Sequence, residues 1–182
     1  GFAHRTHQRA QPGHTVAGPK IGDALDDVDT PALIVELDAL ERNVATMAAA
    51  VAGRGVRLRP HSKSHKCPDI ARRQIAAGAV GICCQKVGEA EIFVKAGIRD
   101  VLITNEIVGT TKLARLAALA RSASIGVLVD DRANVDALAA AAQAAGTSVD
   151  VLVEVDVGAH RCGVLPGRPA LDLARVIADE PR

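Results

Sequence analysis

The sequence predicts an α/β protein built on a parallel sheet. Two observations carry this. Short runs of Val, Ile and Leu alternate with longer segments whose apolar residues fall on one helical face. The expected strands begin at residues 56, 79, 100, 124 and 150, so the repeat is 23, 21, 24 and 26 residues. Each repeat holds one strand and one helix, the pattern of successive βα units. The strand runs do not alternate with polar residues, which predicts burial on both faces.

Residues 1–28 stand apart from this rhythm. The first 20 hold three His, two Arg and a Lys, with no acid. They read as a disordered tail or upstream extension. Order is expected over residues 29–182. Pro31–Glu36 (PALIVE) reads as a strand. Asp38 can cap a helix with Leu40, Val44, Met47, Ala48 and Val51 on one face, ended by Gly53 and Gly55. Strands then follow at 56–59, 79–83, 100–104, 124–129 and 150–155. Helices follow them at 68–77, 88–96, 111–121, 132–145 and 169–179, the last with Pro169 in its first turn.

Five units fit two architectures, an open doubly wound sheet or part of a (β/α)8-type barrel. Dinucleotide binding asks for GxGxxG after the first strand. The turn there reads RPHSKSHK, without a glycine.

Composition narrows the function. The formal charge is +1, from 22 basic and 21 acidic residues, which argues against a nucleic-acid or membrane-surface binder. Two Phe and no Tyr or Trp leave no base-stacking platform and an aliphatic core. No apolar stretch approaches the ~18 residues of a membrane span. The four cysteines have no zinc-type spacing, so reduced thiols and a cytoplasmic setting are expected.

Four segments at expected strand ends carry the candidate chemistry. In Arg59-Pro60-His61-Ser62-Lys63-Ser64-His65-Lys66 the residues Arg59, His61, Lys63 and His65 recur at period two. An extended segment would align them, and mutual repulsion with burial would depress a lysine pKa and favour an amine nucleophile. A solvated basic loop or an anion site fits the same charges. Cys83-Cys84-Gln85-Lys86 offers an amide to a ligand edge, and Thr104-Asn105-Glu106 is a polar cluster ending an apolar run. In Glu154-Val155-Asp156-Val157-Gly158-Ala159-His160-Arg161-Cys162-Gly163 two glycines permit a tight path that presents Arg161 to an oxyanion or phenolate.

RPHSKSHKCPDIARRQIAAGAVGICCQKVGEAE, followed by TNEIVG and VLVEVDVGAHRCGV, resembles the D-threonine aldolase and D-3-hydroxyaspartate aldolase family, with eukaryotic-type D-serine dehydratase a close relative. The resemblance spans about residues 27–180. It implies a pyridoxal 5'-phosphate enzyme with an alanine-racemase-like N-terminal (β/α)8-type barrel, represented here by about five βα units of a truncated barrel, and a C-terminal β domain absent from this chain. It implies that Lys63 is the Schiff-base lysine, that Gln85 contacts the cofactor and that Arg161 faces its phenolic oxygen. It also implies a divalent cation, Mn or Mg, whose ligands lie outside this chain. The expected reaction cleaves a small β-hydroxy-D-amino acid to glycine and an aldehyde, in a full-length homodimer. A dehydratase-like lyase, an inactive truncated fragment and an anion-binding open sheet are the alternatives.

Overall fold

A computed structural model describes residues 18–180. The chain divides into two compact units, residues 1–40 and 41–182. Of the tail expected over residues 1–28, residues 1–17 lie outside the described ones. Residues 18–28 are almost wholly exposed and contain one 3-10 turn, Leu25–Asp27. Pro31–Glu36 forms no strand. It leads into helix α1, Leu37–Val51.

In the second unit the elements alternate as expected. After α2 (Pro68–Ala76) come β1 (Ile82–Cys84), α3 (Val87–Lys95), β2 (Asp100–Glu106) and α4 (Thr110–Ala120). They are followed by β3 (Ser124–Val129), α5 (Arg132–Ala145), β4 (Asp150–Val153) and α6 (Arg168–Asp179). All pairings are parallel and the order is β1-β2-β3-β4. Helix α4 packs on α3 and α5, and α6 on α5. Sequential order with neighbouring helices in contact puts the crossovers on one face, as right-handed connections require. This is the winding of a barrel; a doubly wound sheet would reverse its strand order at a switch point.

The first expected strand, 56–59, does not join the ladder as a regular strand. Its segment lies beside β1 through Val80 N–H to Leu58 O (3.0 Å) and Cys83 N–H to Pro60 O (2.7 Å), with a single bridge at His61. Pro60 has no N–H to give, so the ladder loses a rung there. The sheet therefore has four strands among the described residues.

The strands are also not buried equally on both faces. Ile82, Val101 and Ile125 form one cross-strand row, and Cys84, Ile103 and Val127 form the next. These residues pack with Phe93, Leu113, Leu116, Val135 and Leu138 from the helices in the main core. On the opposite face Leu102 is half-buried and Leu152 is exposed, because the helices cover only one side. Gly126 lies there because Leu102 Cδ1 fills the space of its missing side chain, 2.8 Å from where a Cβ would sit.

Candidate active site

The carboxyl ends of the strands carry three connected features. The first is the turn holding Lys63. The period-two alignment does not occur, because Ser62–Ser64 is a 3-10 turn. Arg59 is drawn away by Asp100 at the start of β2, in a two-pronged ion pair of 2.6 and 3.1 Å. His61 caps the turn, its Nδ1 accepting the Lys63 N–H at 3.1 Å. Ser62 is buried, and its hydroxyl donates to Cys83 O at 2.8 Å. Together these bonds fix the Lys63 backbone while its side chain stays exposed.

Repulsion is not the leading influence in the cationic segment. Burial lowers the pKa of both His61 and His65, and Lys66 pairs with Glu89 at 3.3 Å. Glu89 also accepts the Gln85 N–H at 2.8 Å. Burial opposes its charge, but hydrogen bonds from Gln85 and Lys66 bring its carboxyl below the usual range. Glu89 thus ties the Lys63 turn to the Gln85 turn. Sequence reading missed it; the available signal is a Glu in the first turn of a helix, where a carboxylate can reach back to a free backbone N–H.

The second feature is a bulge at the end of β2. Ile103 pairs with Val127, but the next partner, Leu128, is opposite Glu106. Thr104 and Asn105 are therefore extra residues, and such bulges re-aim side chains. Thr104 Oγ1 meets His61 Nε2 at 2.8 Å and donates to Cys84 O at 3.2 Å. Asn105 Nδ2 donates to Gln85 O at 3.4 Å. The Gln85 backbone is held on both sides; its side-chain amide makes no hydrogen bond among the described residues. Cys84 behind it is inert, since burial pushes its thiol up to about 12.

The third feature is the Arg161 loop. Asp156 accepts N–H groups from Gly158 at 2.9 Å and His160 at 3.0 Å, which hold its carboxyl below the usual range. Gly163 donates to Asp130 at 2.9 Å, and Val164 to Glu154 O at 2.9 Å. Arg161 is exposed, with Nε 3.4 Å from Cys162 Sγ and Nη2 3.8 Å from Glu154 Oε1. The Cys162 thiol donates to the same Glu154 oxygen at 2.9 Å. Burial, with Glu154 alongside, raises the Glu106 pKa. Glu106 Oε1 is buried and receives no donor among the described residues.

Glu106, Glu154 and Cys162 bring three ligating atoms within 4.8 Å. They do not suit Mn or Mg. Those cations favour oxygen ligands, and here one ligand is a protonated thiol and the Arg161 guanidinium already faces the carboxylate.

The chain as a whole matches known proteins. The alanine racemase N-terminal domain matches residues 35–182. The chain belongs to this family. It is 52% identical over 160 residues to a D-threonine aldolase of Arthrobacter, covering 88% of this chain and 42% of that protein. It is 45% identical over 157 residues to a 3-hydroxy-D-aspartate aldolase of Paracoccus denitrificans, covering 85% and 41%. The crystal structure of D-threonine aldolase from Filomicrobium marinum superposes with a TM-score of 0.83 at 59% identity, covering 86% of this chain and 42% of that one. This alanine racemase N-terminal domain chain thus spans about two-fifths of the length of the curated relatives it matches. No helix among the described residues is long and apolar enough to cross a membrane.

Proposed function

We propose that residues 29–182 are the N-terminal part of a pyridoxal 5'-phosphate-dependent aldolase. It would cleave β-hydroxy-D-amino acids, D-threonine or D-3-hydroxyaspartate, to glycine and an aldehyde. The observation that carries the reading is the exposed Lys63 on a turn pinned at the carboxyl edge of the sheet, in a chain 45–52% identical to two such aldolases. The donor set suits the cofactor: an amine for its aldehyde, a guanidinium for an anionic oxygen and a free amide for a ring edge.

Lys63 Nζ would hold the aldehyde carbon. The Arg161 guanidinium would meet the phenolic oxygen. Cys162 first, then Glu154, raise its pKa and keep it protonated. Gln85 offers its amide from a backbone fixed by Glu89 and Asn105. The chemistry a bound pyridoxal phosphate supplies is an electron sink for the pair released when Cα–Cβ breaks. The setting we infer is the cytoplasm, consistent with four free cysteines.

Incubation with pyridoxal phosphate, borohydride reduction and peptide mapping test the reading. Label should concentrate on Lys63 and vanish in Lys63→Ala. Label spread over surface lysines would overturn it. A dehydratase reading shares Lys63 and is favoured by 37% identity to D-threo-3-hydroxyaspartate dehydratase of Delftia. Ammonia release in place of glycine, from the protein containing this chain, would select it.

A further inference from the structure

We propose that His61 is a positioning residue for Lys63. Its ring, in the neutral Nε2–H form, locks the lysine turn to the ends of β1 and β2, and protonation of the ring releases the lock. The inference deepens the proposed function and rests on it for the meaning of Lys63.

The hydrogen bonds determine the tautomer. Lys63 N–H is a donor and lies 3.1 Å from Nδ1, so Nδ1 carries no proton. The ring proton is therefore on Nε2, which donates to Thr104 Oγ1 at 2.8 Å. The Thr104 hydroxyl then passes its own proton toward Cys84 O at 3.2 Å. Every donor in this chain finds an acceptor. One imidazole thus joins the lysine backbone to the β2 bulge and, through Thr104, to β1.

A second proton can enter only at Nδ1. There it would face the Lys63 N–H, donor against donor, and the cap would open. The groups around the ring act in both directions. Burial and the Lys63 charge on its own turn disfavour the imidazolium, and Glu89 from α3 favours it. From β1 the Cys83 and Cys84 thiols are neutral, their pKa values raised by burial. From β2 Thr104 carries no charge, and beyond it Arg59 and Asp100 compensate each other. The net direction is a ring that stays neutral below its ordinary 6.5. The lock is thus closed at neutral pH and opens in acid.

The test follows the Lys63 amide and the His61 ring by NMR across an acid titration of the chain. In wild type, the protection of the Lys63 amide relative to its intrinsic exchange rate at each pH should fall with the midpoint of the His61 ring, below 6.5. His61→Asn supplies a side-chain oxygen that can accept the same N–H but cannot titrate, so its Lys63 amide should stay protected through that range. Thr104→Ser should preserve the wild-type midpoint, whereas Thr104→Val, which leaves Nε2–H without its acceptor, should shift it. With pyridoxal phosphate added, the ratio of wild-type to His61→Asn borohydride label at Lys63 should fall several-fold across the same midpoint. A Lys63 amide indifferent to His61 titration, or an unchanged acid response in His61→Asn, would overturn the proposal. Absence of label at Lys63 with the amide coupling intact would instead overturn the aldolase reading, and the coupling would still support the lock.

Discussion

A methyl group at Gly163 would stand 2.6 Å from the Asp156 nitrogen and 2.8 Å from the Val155 carbonyl carbon, at a φ of +99°. Both neighbours are backbone and neither can rotate away. The Gly163 N–H is also bonded to Asp130, so the loop cannot simply shift outward. Gly163→Ala should cost on the order of 1–3 kcal/mol, the usual range for strained backbone, read as a lower urea midpoint. The same variant should weaken label protection or cofactor affinity wherever Arg161 contributes, since Arg161 is two residues away on the same path. Gly158, also at positive φ, has open space around its missing Cβ. Its substitution carries the conformational cost without the clash, and should be milder.

At the scale of elements, α5 is capped by Asp131, whose carboxylate accepts the Asn134 N–H at 3.1 Å, and ends in left-handed Gly146 at φ 60°. Asp131→Ala should lower stability by about 1 kcal/mol, and Asp131→Ser should recover most of it, both measured by urea unfolding. Helices of this kind were legible in the sequence. The spacing of Leu113, Leu116, Ala117 and Ala120 predicts one apolar face of α4; the first three are buried and Ala120 is half-buried. Lys63, Gln85 and Arg161 were placed at strand ends, and all three lie after the strands or turns expected. What local pattern could not reveal was set by pairing. The 56–59 run has strand composition, but Pro60 and an edge position leave it only two backbone bonds to the β1 segment. The bulge at Thr104 and Asn105 depends on how β2 meets β3. His61 and Lys63 share a period-two pattern, yet Ser62 anchors to Cys83 and turns the segment into a 3-10 cap.

At the scale of the molecule, the groups with displaced pKa values pull the stability curve in opposite directions. His61 and His65 have lowered pKa values, so the unfolded chain binds more protons as pH falls through 6.5. Their contribution is present above that value and is lost as pH falls toward their folded pKa values. Glu89 and Glu91 have lowered values too, and their contribution is lost below 4.5. Glu106 does the reverse. Its pKa is raised from 4.5, so the folded chain holds a proton that the unfolded chain has released. Its contribution is full below 4.5 and declines as pH rises through the folded value. Between those limits Glu106 partly offsets the histidines on acidification. Glu106→Gln replaces the titrating carboxyl by an amide that stays neutral at every pH. The variant should be more stable than wild type at neutral pH, with the difference shrinking as pH falls toward 4.5. Its stability should also decline more steeply than wild type on acidification from 6.5, because the offset is gone. Urea unfolding of both proteins at a series of pH values reads both slopes. A difference between them that stays constant with pH would show that folding does not raise the Glu106 pKa.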